Sequence, residues 1–152
     1  MTDHNPSARA DASADERGLS PHGEAIGLVV VHRAAHSCLI RLPYADHLVG
    51  DPDTGVIHGG VITALLDNAS GQAVRVQDED LTIATLDLRI DYMGPATPGE
   101  DLFAEAACYK RTANVAFVRA SAYHENADSP VATCVATFML GTAATRPERE
   151  GA

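Results

Sequence analysis

His58-Gly-Gly-Val-Ile-Thr-Ala-Leu-Leu-Asp-Asn-Ala-Ser-Gly71 is the stretch on which the reading of this chain turns. At 100° per residue, Val61, Ile62, Leu65, Leu66, Ala69, Ala73 and Val76 gather into one apolar stripe, which predicts a helix over residues 59–76. Asp67 lies roughly 160° from the middle of that stripe. Ala64 and Gly71 share its side and leave room for another molecule. The helix opens on two glycines. The first N–H groups of a helix have no intrahelical acceptor, and glycine lets a ligand reach them. Those donors, with the helix dipole behind them, suit a developing oxyanion. Asp67 follows Gly59 by eight residues, about 12 Å along the axis. One helix cannot bring both groups to one carbonyl carbon. A site that uses both needs two copies of the helix, hence a homodimer.

Outward from the helix, the chain reads as strands. Glu24–Ala34 is expected to be a mostly buried strand, and Cys38–Leu42 a second one with Cys38, Ile40 and Leu42 on one face. Tyr44–Ile57 is a loop with Asp51-Pro-Asp-Thr-Gly55 as its turn. After a polar connection at Gln77–Asp80, Leu81–Met93 alternates. Ala84, Leu86, Leu88, Ile90 and Tyr92 form one apolar face, and Thr85, Asp87, Arg89 and Asp91 the polar one. Strands over 101–110, 114–124 and 130–140 follow with short connections, as in an antiparallel meander. The expected class is α+β, with an antiparallel sheet of five to six strands wrapped around one long helix. Residues 1–20 have no apolar period and are expected to be disordered, 21–142 to form one domain, and 143–152 to be a tail.

With 11 basic and 21 acidic residues the chain carries a net charge of −10, a poor match for nucleic acid or an anionic membrane. No apolar run is long enough to span a bilayer. Cys38, Cys108 and Cys134 are odd in number and far apart, which fits reduced thiols in a cytoplasmic protein better than a disulfide framework or a zinc site. His32 and His36 have the spacing of a helical metal pair, but in a strand they stand roughly 13 Å apart. No metal and no cofactor is expected.

The motif at 58–71, together with Thr85–Ala106 (TLDLRIDYMGPATPGEDLFAEA), resembles the hotdog-fold acyl-CoA thioesterases, in particular the PaaI-like branch of the 4-hydroxybenzoyl-CoA thioesterase superfamily. The resemblance covers about residues 21–142. It implies a dimer with a continuous sheet and shared active sites, pairing further into a dimer of dimers. It also implies roles. Gly59 N–H polarises the thioester carbonyl, Asp67 acts as general base or as nucleophile, His58 holds the loop or places the acyl group, and Thr85 helps orient water. Gly60 and Asn68 fall to substrate binding. The coenzyme A moiety belongs to the substrate, aryl or medium-chain acyl-CoA. Its nucleotide end requires local cations, for which Arg89, Lys110, Arg111 and Arg119 are candidates, Lys110-Arg111 foremost. The alternatives are a non-catalytic acyl-CoA binding or sensing protein on the same fold, and a hydratase. The Asp-x4-His signature of hydratases is missing from its expected place, and no Cys-His arrangement is evident.

Overall fold

A computed structural model describes residues 19–75 and 81–141. The elements run α1 (Pro21–Ala25), β1 (Val29–Ala34), β2 (Ser37–Leu42), a 3-10 turn (Asp46–Leu48), β3 (Val49–Asp51), β4 (Val56–Ile57), α2 (Gly59–Arg75), β5 (Thr82–Tyr92), β6 (Leu102–Arg111), β7 (Val115–Tyr123) and β8 (Ala132–Gly141). The expectations for residues 1–18, Val76, Gln77–Asp80 and 143–152 lie outside the described residues.

Six strands form one antiparallel sheet in the order β1-β2-β6-β7-β8-β5, and β3 pairs with β4 in a separate small ladder. The meander expected for the last three strands is present. β5 does not join it beside β6; it pairs with β8 and forms the far edge of the sheet. The connection from β5 back to β6 is tied down by His124. Its Nε2 accepts the Thr97 N–H at 2.8 Å, so Nδ1 carries the hydrogen and donates to the Asp101 carbonyl, also at 2.8 Å.

Helix α2 lies across the inner face of the sheet. Ile62, Leu65, Leu66, Ala69, Ala73 and Val74 are buried, as the apolar stripe requires. The sheet beneath is lined by small side chains: Ala104 and Ala106 of β6, Ala116, Ala120 and Ala122 of β7, Ala132 and Ala136 of β8. Alanines at alternate positions bring the helix close to the strands. Larger groups, Ile40, Leu42, Leu102, Val118 and Phe138, fill the space around it.

Two local expectations change. The segment read as one strand from Glu24 begins instead as a one-turn helix. Ser20 caps it, its Oγ accepting the Gly23 N–H at 3.1 Å, and Pro21 stands in its first turn. Gly27, at φ 81°, turns the chain into β1, which is an edge strand and is half-buried rather than mostly buried. In β5, the pairing with β8 shifts register between Thr85 and Asp87, leaving Leu86 as the extra residue. The alternation therefore reverses there. Ile83 and Thr85 lie on the helix side before the bulge, and Leu88, Ile90 and Tyr92 after it. Leu86 is 54% exposed instead of facing the core with Leu88.

Cys38 is 1% exposed, and burial raises its thiol from 9.0 to about 11, against a smaller opposing effect of the Arg33 guanidinium. The native state thus holds this proton more tightly than the unfolded chain does. The resulting stability is fully present below pH 9 and falls as pH rises toward 11, by about 2–3 kcal/mol for the two-unit difference. Urea titrations at pH 8 and pH 11 are expected to show that loss in the wild type and a smaller pH dependence in Cys38→Ala, whatever the variant's absolute stability.

Candidate functional site

Both ends of the proposed chemistry sit on α2, and β5 holds each of them. At the helix start, the His58 ring folds back so that Nδ1 accepts the Gly60 N–H at 2.9 Å. A Cβ on Gly60 would lie 3.0 Å from that Nδ1, so the second glycine of the motif makes room for the histidine. The His58 carbonyl accepts the Val61 N–H at 2.9 Å. That leaves the Gly59 N–H, for which no described residue supplies an acceptor. Gly59 is exposed, and a Cβ there would meet nothing nearer than the Tyr92 hydroxyl at 3.7 Å. Packing within this chain does not require glycine at 59; the approach of another molecule would. Gly60, assigned to substrate binding from the sequence, has its N–H engaged by His58 and is a support for the loop.

Tyr92 was not singled out as a site residue by sequence. Its hydroxyl donates to the Gly59 carbonyl at 2.8 Å and lies 2.6 Å from Thr63 Oγ1, which is itself 3.2 Å from the same carbonyl. The first turn of α2 is thereby fastened to the end of β5. The available signal was Tyr92 in phase with Leu88 and Ile90, at the end of the strand that follows the helix.

One helical stretch further on, Thr85 Oγ1 donates to Asp67 Oδ1 at 3.0 Å. The bulge at Leu86 makes this contact, because an unbroken alternation that keeps Leu88 and Ile90 inward would turn Thr85 outward. Asp67 is half-buried, and its Oδ2 has no partner among the described residues. Thr85, whose O–H donates to Asp67, keeps lone pairs to accept from a water. A water between Thr85 Oγ1 and Asp67 Oδ2 can donate to both and be deprotonated by the carboxylate. Asn68 Nδ2 donates to the Ala64 carbonyl at 2.8 Å, and its Oδ1 faces Ser20 Oγ at 3.4 Å. These residues line a cavity of about 280 Å³ beside Asp67.

The basic residues are dispersed. Arg89 lies on the outer face of the sheet and pairs with Asp91 at 3.1 Å. Lys110 and Arg111 sit on opposite faces, opposite Phe117 and buried Ala116, so they do not act as a pair. Arg111 instead reaches the Val74 carbonyl at 3.4 Å, at the C-terminal end of α2, where a cation is favoured. Arg119 stacks over Tyr109, 4.5 Å from the ring centre. Among the described residues no group of three His, Cys, Asp or Glu could hold a metal ion, and no helix is long and apolar enough to cross a membrane.

The family model of the Thioesterase superfamily matches residues 54–130, from the loop before His58 through β7. The chain belongs to that superfamily. It is a hotdog-fold thioester hydrolase of the PaaI-like branch. A crystal structure of a Pseudomonas aeruginosa protein is 42% identical, with a TM-score of 0.70, and the match covers 78% of this chain and 88% of that one. A mutant of the phenylacetic acid degradation protein PaaI from Thermus thermophilus is 26% identical, with a TM-score of 0.69, over 79% of this chain and 98% of that one. The Escherichia coli medium/long-chain acyl-CoA thioesterase YigI is 25% identical over 135 residues, 80% of this chain and 86% of that one.

Tyr92→Phe removes the clamp on the first turn of α2 while keeping the ring. The loss of one hydrogen bond to a carbonyl is expected to cost about 1 kcal/mol, or roughly 2–4 °C in Tm for a chain of this size. On the expectation that the Gly59 N–H meets a developing oxyanion, a fall in kcat of about tenfold is expected with a smaller change in KM.

Proposed function

We propose that the protein hydrolyses an acyl-CoA thioester to a free acid and coenzyme A, in sites shared between two subunits. The observation that carries this reading is the pair of open groups on α2: a Gly59 N–H without an acceptor, and an Asp67 carboxylate oriented through one oxygen by Thr85 with the other oxygen open. The acyl-CoA activity named for the Escherichia coli relative supports the same substrate class. The thioester oxygen lies against Gly59 N–H of one subunit, which stabilises the tetrahedral oxyanion. Asp67 of the other subunit deprotonates the water held with Thr85, or attacks the carbonyl carbon itself; either route expels the coenzyme A thiolate, and the second leaves an acyl–Asp67 anhydride that water then hydrolyses to the free acid. His58 keeps the loop in place through Gly60. The chemistry needs no group beyond thioester, water and these side chains. The free thiols of Cys38, Cys108 and Cys134 suit the cytoplasm.

The dimer reading is supported by distance and by the edge of the sheet. Gly59 and Asp67 belong to one helix and stand about 12 Å apart along it. β5 is an 11-residue edge strand with Leu86 and Tyr92 half or more exposed, a surface that a second copy would cover by pairing edge to edge. A dimer of dimers would be a further association through another surface.

Thiol release from a panel of aryl, short-chain and medium-chain acyl-CoAs is expected in the wild type, with a loss of several hundred-fold in Asp67→Asn, in the range of other groups acting on the transition state. Absence of turnover with saturable acyl-CoA binding would instead favour a binding protein. Sharing is read by mixing two inactive variants, Asp67→Asn and Gly59→Pro; proline suits a first helical position and lacks the N–H. Random mixing makes half the dimers hybrid, each with one of two sites intact, so about a quarter of wild-type activity is expected to return. No recovery, in hybrids shown to form, would place the whole site within one subunit.

A further inference from the structure

Asp67, Gly71 and Arg75 are spaced four residues apart and follow one side of α2. The cavity beside Asp67 runs along that side and is lined by Asp67, Gly71 and Arg75, with Asn68 and Gln72 next to them, Ser20 and His22 of the α1 region opposite, and Ile83, Thr85 and Phe138 from the sheet. Gly71 is its floor. A Cβ there would stand 3.3 Å from Ile83 Cδ1 and 3.8 Å from Phe138 Cε1, so glycine lets the helix approach the sheet closely between Asp67 and Arg75. The apolar part of the lining is confined to Ile83 and Phe138 near the middle. Arg75 has no ion-pair or hydrogen-bond partner among the described residues, unlike Arg41, Arg89 and Arg111. Side chains of a helix lean toward its N-terminus, which carries the Arg75 guanidinium back over Gly71 toward the acyl end of the site.

On the reading that thioester carbon meets Asp67, we infer that this cavity receives the acyl group and that Arg75 binds an anionic group at its far end. The substrate class is then a coenzyme A thioester of an acyl chain that ends in a carboxylate. Arg75 and His22 are exposed at that end, where a plain alkyl tail would gain little burial. A carboxylate would engage the guanidinium in a charge-assisted hydrogen bond, to which His22 can add. The volume of about 280 Å³ corresponds to on the order of nine non-hydrogen atoms at roughly 30 Å³ each, room for a chain of about six carbons with its terminal carboxylate. Arg75 is a specificity residue in this assignment, remote from the bonds that change.

The test compares kcat/KM for a six-carbon acyl-CoA and for its equivalent with a terminal carboxylate, in wild type, Arg75→Met and Arg75→Lys. The wild type is expected to favour the carboxylate-ended thioester by tenfold or more. Arg75→Met is expected to lower that ratio about 10- to 100-fold, chiefly through KM, and Arg75→Lys to keep part of it. Hydrolysis of both thioesters with no preference in the wild type, or a ratio unchanged in Arg75→Met, overturns this inference while leaving the thioesterase reading in place. Failure to hydrolyse either thioester, or any of the panel above, removes both.

Discussion

The packing of α2 onto an alanine-lined sheet is the constraint from which the rest of this molecule follows. Seven alanines on β6, β7 and β8 form the surface beneath the helix, and Leu65 and Leu66 are completely buried against it. With so little side-chain volume between the layers, the rotation of the helix about its own axis is fixed by steric fit as well as by hydrophobicity. Once that rotation is set, Asp67 can only face the edge of the sheet occupied by β5. The helix start is likewise held at the sheet margin, where His58 N–H donates to the Leu48 carbonyl at 2.9 Å.

β5 ties the two ends of the helix-borne site together. Thr85 holds Asp67, and Tyr92 holds the Gly59 carbonyl. In a regular strand these two residues, seven apart, would point to opposite faces. The bulge at Leu86 adds the one residue that puts them on the same face. The same irregularity expels Leu86 to the outside, on a strand whose free edge is available to a second copy. Orientation of the carboxylate, anchoring of the helix start and exposure of an apolar edge are thus consequences of one extra residue in one strand.

Electrostatically, the cations already have tasks. Arg41 pairs with Asp101 at 3.2 Å, Arg89 with Asp91, Arg111 with the end of α2, and Arg119 with the Tyr109 ring. In a chain of net charge −10, a cation count says little about where an anionic substrate binds. The informative cation is one that lines a cavity and lacks a partner among the described residues, as Arg75 does.

The sequence alone determined the long helix, the antiparallel class of five to six strands around it, and the candidate pair Gly59 and Asp67. These rest on periodicities of 3.6 and 2 and on residue types that local geometry demands. The distance between Gly59 and Asp67 was legible too, because a helix has a fixed rise. Tertiary structure decided the rest. Apolar Leu86 fits an inward alternation as written, so nothing local marks it as the bulge; only pairing with β8 makes it the surplus residue and turns Thr85 toward Asp67. The Ser20-Pro21 cap sets a helical turn over Pro21–Ala25 ahead of the apolar run, and Gly27 delays the strand to Val29. Lys110 and Arg111 are neighbours in the chain but lie on opposite faces of a sheet, while Asp67, Gly71 and Arg75, spread over nine residues, line one cavity. Adjacency in sequence fixes side-chain direction only within a regular element; which directions converge is set by how the elements pack.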